Sequence, residues 1–174
     1  MKTSTFALVL GIAYLLIGLM GLVPLFLVPP PMDAPPTHFT LLYGYLFGLF
    51  PVNLLHSVLH IVIGAWGISA WSSPANASRF CRDAAILFGA LAVMGVLPTL
   101  NTVFGIMPLH GNDVWLNGLT AGLAAYFRWR EGASMKDRRH ILGDRRLRMA
   151  PIARERRFGL ADRREGFGSM APGF

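Results

Sequence analysis

Two histidines one helical turn apart, His56 and His60, stand inside an otherwise apolar stretch. Residues spaced i, i+4 share one face of a helix. Farther along, Asp113 and Asn117 repeat that spacing in a second apolar stretch, with Asn53 and His110 just outside as accessory polar positions. Ionisable groups in such surroundings are candidates for function by default. Three chemistries fit the set. The polar side chains can join helices by hydrogen bonds where nothing else can satisfy them. His56, His60 and Asp113 make up a two-histidine, one-carboxylate metal set. The same groups can relay protons or hold a small polar ligand. Axial haem ligation by His56 and His60 together is excluded, since axial ligands approach iron from opposite faces. No other cofactor is indicated.

The two pairs belong to an internal repeat. Phe47-Gly48-Leu49-Phe50-Pro51-Val52-Asn53 recurs as Phe104-Gly105-Ile106-Met107-Pro108-Leu109-His110. Extended without gaps, the alignment sets His56 on Asp113 and His60 on Asn117. Upstream, Met20-Gly21-Leu22-Val23-Pro24 resembles Met94-Gly95-Val96-Leu97-Pro98. Each unit then reads span, connector, Phe-Gly-x-x-Pro, span. An even number of spans per unit inserts both copies the same way, so the expected pseudo-axis lies along a membrane normal.

Composition sets the class. Hydrophobic residues make up 53% of the 174 positions and charged residues 14%, against about 25% charged in a soluble domain. Too little charge remains to cover a water-facing surface. Four apolar runs follow: Phe6–Val28 with a kink at Pro24, Val52–Trp71, Asp83–Leu100 and Val114–Phe127. The first has the length of a membrane span and lacks a signal-cleavage site, so it reads as a retained helix. Leu41–Phe50 reads as a short interfacial helix rich in Tyr43, Tyr45 and Phe47, with a counterpart before the fourth span. Ser72–Ser78 reads as a loop. The expected fold is an all-α, four-helix membrane bundle over residues 1–130, made of two parallel two-helix repeats. Gly44/Gly48 and Gly118/Gly122 fit the G-x-x-x-G packing pattern.

Charge is uneven along the chain. Up to Tyr126, Lys2, Arg79 and Arg82 balance Asp33, Asp83 and Asp113, and the other 13 basic and 6 acidic residues begin at Arg128. Basic residues fall on alternate loops, which predicts both termini in the cytoplasm and a multi-pass protein of the cell membrane. Residues 131–174, with Lys136-Asp137-Arg138-Arg139 and two similar clusters, read as a basic, disordered cytoplasmic tail that meets anionic lipid headgroups. Few aromatic residues interleave there, which disfavours nucleic acid. The lone Cys81 excludes an intrachain disulfide.

The strings Leu46–His60 and Gly111–Asn117 resemble the domain of unknown function 4383 family, small bacterial membrane proteins of about four helices. The resemblance covers most of residues 6–127 and implies fold and location without an activity. It also implies a histidine where this chain has Asn117. No phosphate loop, nucleophile elbow or dinucleotide fingerprint is present. The expected role is a non-enzymatic membrane scaffold that could form a homo-oligomer, with a redox, metal-binding or transport component built on the polar cluster as the alternative.

Overall fold

The computed structural model describes residues 1–130. The expectations for 131–174, the basic clusters among them, lie outside the described residues. The described residues are mostly helical, with four helices among them: α1 (Thr3–Gly21), α2 (Leu54–Ala70), α3 (Pro74–Val96) and α4, described over 112–130.

Local chemistry explains most of the boundaries. Asn53 caps α2, its side chain accepting from the His56 N–H at 2.9 Å. Ser73 caps α3 in the same way through the Asn76 N–H at 3.1 Å, and Pro74 occupies the first helical position. Proline is suited to that position because its missing N–H would have had no partner there. This corrects the loop expected at Ser72–Ser78: its turn-forming residues are the cap and first turn of α3. α1 stops at Gly21, short of the expected Val28, because Pro24 follows and cannot continue the helix.

The expected interfacial helix at Leu41–Phe50 is absent. A three-stranded antiparallel sheet takes its place, built from β1 (Leu27–Val28), β2 (Gly44–Leu46) and β3 (Phe50–Val52) in that order. Tyr45 pairs with Pro51 and Leu46 with Phe50. The aromatic and β-branched residues of this stretch suit a pleated surface. Phe47 and Gly48 make its turn with φ of 53° and 74°. The counterpart helix before α4 is absent too. Phe104 and Gly105 adopt φ of 57° and 84°, and the chain closes through Leu109 N–H to the Asn101 carbonyl at 2.8 Å. A bulky residue at positive φ is rare. Its recurrence at matching positions means the sequence repeat is also a repeat of backbone shape.

α1 packs along α2 at backbone distance. A Cβ on Gly11 would stand 2.6 Å from the Ile68 nitrogen, and one on Gly64 would overlap the backbone of Leu15. Of the two G-x-x-x-G pairs expected to pack helices, Gly44/Gly48 lies in the sheet and its turn. A Cβ on Gly122 would meet nothing within 4 Å among the described residues.

α4 lies against α1 and α3. Phe127 stacks on Phe6 with ring centroids 4.3 Å apart, and a Cβ on Gly89 would meet Ala121 at 3.9 Å. Phe80, Phe88, Ala84 and Cys81 of α3 fill the interior between the helices. α1 is the one helix among the described residues both long and apolar enough to cross a membrane; α2 is apolar but shorter.

Candidate functional site

The buried face of α4 carries Asp113, Asn117, Thr120, Ala124 and Phe127, a run at helical spacing that is polar at its start and apolar at its end. Asp113 falls in the first turn, where the exposed N–H groups and the helix dipole favour a carboxylate. α2 answers with His56 and His60, both buried, while the buried hydroxyl of Ser57 lies on the α1 side against Gly21. The two faces meet where the repeat alignment sets them opposite one another. His56 Nδ1 lies 3.7 Å from Asp113 Oδ2. The rings of His56 and His60 are 4.4 Å apart. The carbonyls of Pro51 and Pro108, equivalent positions of the two repeat copies, both approach the His56 imidazole.

Deeper in, the Tyr14 ring meets His60 edge-on at 5.0 Å, and its hydroxyl shares a 2.8 Å hydrogen bond with Thr120 Oγ1. Tyr14 and Thr120 escape a reading of the sequence. A single hydroxyl residue in an apolar helix carries no pattern, and Tyr14 and Thr120 are far apart along the chain. Beyond them the interior closes with Phe88, Phe80, Phe6 and Phe127. The polar set is thus a blind column that runs inward from the sheet end.

The accessory positions separate from this column. Asn53 is fully engaged at the helix start. Besides capping α2, its Nδ2 donates to the Ile106 carbonyl at 2.7 Å and the Phe39 carbonyl at 3.2 Å. Asn112 Nδ2 donates to the carbonyl of Leu49, the repeat equivalent of Ile106, at 3.2 Å. The two connectors therefore grip each other nearly reciprocally. His110 stays in its connector, half-buried, with its ring 6.1 Å from that of Tyr45. Burial lowers its pKa below the usual histidine value.

The motif residues shape the frame. Pro51 and Pro108 are fully buried, whereas Phe47 and Phe104 point outward. Gly105 has no room for a side chain because the His38 ring occupies that space, and its carbonyl accepts from the His38 N–H at 2.7 Å.

The column concentrates unmet hydrogen bonding. Among the described residues, His56 Nδ1, His60 Nδ1, Asp113 Oδ2 and Asn117 Nδ2 are buried without a partner within hydrogen-bond distance, as are two atoms outside the column, Ser57 Oγ against Gly21 of α1 and His110 Nε2 in its connector. Buried polar atoms are paired in the large majority of cases, and each exception calls for a reason. The side chains of His56, His60 and Asp113 are not arranged around a common point in this structure. Among the described residues, no three histidine, cysteine or acidic side chains converge as a metal-holding group.

No curated protein and no solved structure matches the chain. The family model described as domain of unknown function (DUF4383) matches residues 4–130, the helices, the connectors and the polar column together. The chain belongs to that family.

Proposed function

We propose that the chain is an integral membrane protein, a four-helix bundle of two parallel repeats, that binds a small ligand at its buried His/Asp/Asn column. The observation that carries the binding role is a group of four buried polar atoms without a hydrogen-bond partner among the described residues, one each on His56, His60, Asp113 and Asn117. Interhelical glue accounts for the Tyr14–Thr120 bond and for Asn53, which are paired. It accounts less well for His60 Nδ1 and Asn117 Nδ2, which have no partner among the described residues, and for His56 Nδ1 and Asp113 Oδ2, which stop 3.7 Å apart.

Support for the membrane comes from an inverted distribution of polarity. Large apolar side chains face outward at helical spacing on every helix: Val9, Ile12, Leu16 and Leu19 on α1, and Leu55, Val58, Val62 and Trp66 on α2. Ile86 and Val93 on α3, and Trp115, Leu119 and Leu123 on α4, do the same. In water such a surface is an aggregation liability. In lipid it is the solvated face. α1, with 19 residues, is about 28 Å long, close to the hydrocarbon thickness.

Orientation follows from charge. Lys2, Arg79, Arg82, Arg128 and Arg130 gather where α1 and α3 begin and where the described part of α4 ends, and the sheet end has no lysine or arginine. The positive-inside rule puts the basic end in the cytoplasm and the sheet, with the mouth of the column, outside. A blind column suits a binding site better than a conduit.

A reporter active only outside the cytoplasm tests the placement. It gives signal when fused after Ala34 and none after Ser73 or Phe174; signal from the Phe174 fusion removes the topology. The binding role is tested by rescue of a strain lacking the chain. A variant with His56, His60 and Asp113 changed to Leu folds and fails to rescue, whereas removal of residues 136–174 leaves rescue intact. The reverse pattern restores the scaffold-and-tail reading.

A further inference from the structure

A cavity of about 140 Å³ lies toward the sheet end, between α1, the sheet, α2 and α4. Its lining surface is wholly apolar; His60 and Asp113 contribute to it only through carbon. It has an inner wall and an outer rim. Leu46 and Val52, each 2% exposed, stand at the inner wall. Ile17, Met20 and Leu116 at the rim are half-buried, and Phe47 is 54% exposed. The rim continues into outward apolar faces, Leu16 and Leu19 on α1 and Trp115 and Leu119 on α4.

The lining decides what can enter. Water gains no hydrogen bond at an apolar wall, and apolar cavities stay dry. A polar head group or an ion would give up its hydration and find no partner. A hydrocarbon gives up nothing and supplies the dispersion contacts that a bare wall lacks. An apolar cavity of about 150 Å³ holds one benzene molecule, so this one holds about six carbons of hydrocarbon.

Position decides where that hydrocarbon comes from. With the helices in a bilayer, the faces that flank the rim are those that lipid solvates, so acyl chains stand at the rim at all times. Ile17 and Met20 lie within about 6 Å of the outer end of α1, and Leu116 is close to the start of α4. The hydrocarbon at that level is the upper part of an outer-leaflet chain.

We propose that this cavity seats the upper segment of one outer-leaflet lipid acyl chain, selected by shape and apolarity without any contact to a head group. The chain enters between Ile17 and Met20 on one side and Leu116 on the other. It packs against the carbon atoms of His60 and Asp113 and so seals the polar column on that flank. This rests on the membrane placement proposed above, not on the binding role of the column, and adds a lipid site that neither requires.

The test uses the full-length protein in nanodiscs of phosphatidylethanolamine and phosphatidylglycerol. A trace of phosphatidylcholine with a diazirine in the upper part of one acyl chain serves as the probe. After irradiation, mass spectrometry of the digested protein locates the insertions. The expected result is labelling at Leu46 or Val52, which lipid outside the protein cannot touch, together with labelling at outward Leu16 and Leu119. Leu116→Trp fills the cavity and lowers the inner labelling at least tenfold while the outward labelling stays. Ile17→Phe serves the same purpose if the tryptophan variant does not fold. Outward labelling with none at Leu46 or Val52, or inner labelling that survives both variants, overturns the proposal and leaves the membrane placement standing. If neither inner nor outward residues are labelled, the membrane placement falls with it. Fluorine NMR of fluorobenzene in the same nanodiscs separates the other source. Saturable fluorobenzene binding that the variants abolish, without inner labelling by the lipid, means that the cavity takes a free hydrocarbon and overturns the lipid assignment.

Discussion

α2 is packed in opposite ways on its two sides. Toward α1, Gly64 and Gly67 let the backbones touch, and a Cβ on Gly67 would come within 2.8 Å of the Gly11 Cα. Toward α4, His56 and His60 face Asp113 across a gap that leaves polar atoms unpaired. One side is settled by close backbone approach, and the other by polar groups that approach one another without closing hydrogen bonds. If the column binds a ligand as proposed, stability and function are separable on a single helix. On that reading the α1 side fixes the fold, and changes on the α4 side are expected to cost it little.

The largest effect is expected on the tight side. Gly64→Val sets a side chain against the Leu15 backbone, which cannot move aside as a flexible side chain could. Overpacking of this kind costs about 3 kcal/mol, read as a shift in the denaturant midpoint of the protein in detergent. A loss below about 0.5 kcal/mol would show that the helices can separate freely and break the contrast.

Next in size is the grip between the connectors. Asn53→Ala removes a helix cap and leaves the Ile106 carbonyl short of a donor. Cap and buried acceptor together amount to about 2 kcal/mol. Asn112→Ala removes only an exposed bond to Leu49, and its cost is about 0.5 kcal/mol. Equal costs for the two would mean that the reciprocal bonds, and not the cap, set the value.

The smallest effect is a pH dependence. Burial lowers the pKa of His110 in the folded protein, so the unfolded chain binds more protons near the ordinary histidine value. Stability from the neutral ring is fully present above about pH 6.5 and is lost as pH falls below it. His110→Gln flattens this slope between about pH 6.5 and 5. An unchanged slope assigns the dependence elsewhere.

Parts of this were legible in the sequence and parts were not, for physical reasons. The four helices were legible because charge is missing from four runs. The opposition of α2 and α4 was legible because the repeat aligns His56 with Asp113, and the structure brings those two within 3.7 Å. The sheet was not legible. Leu41–Phe50 is continuously apolar and lacks the alternation of a half-exposed strand, although Gly44, Gly48 and Pro51 all disfavour a helix. The first turn of α3 was hidden because Ser73-Pro74 serves equally as a turn and as a cap with proline behind it. The tight contact of α1 and α2 was hidden because Gly11/Gly18 and Gly64/Gly67 do not have four-residue spacing. The missing hydrogen bonds at the column could not be read from sequence, since pairing is a matter of distance.

The most direct test of the account is the stability of a variant in which His56, His60, Asp113 and Asn117 are all changed to Leu, measured by reversible unfolding in detergent. Replacing buried polar groups that lack partners by apolar ones is neutral or stabilising, by up to about 3 kcal/mol. The account predicts a variant at least as stable as the natural protein that has lost the ability to rescue. A loss of about 2 kcal/mol or more, against the small effect expected of a surface change, would contradict it and return the column to the role of glue.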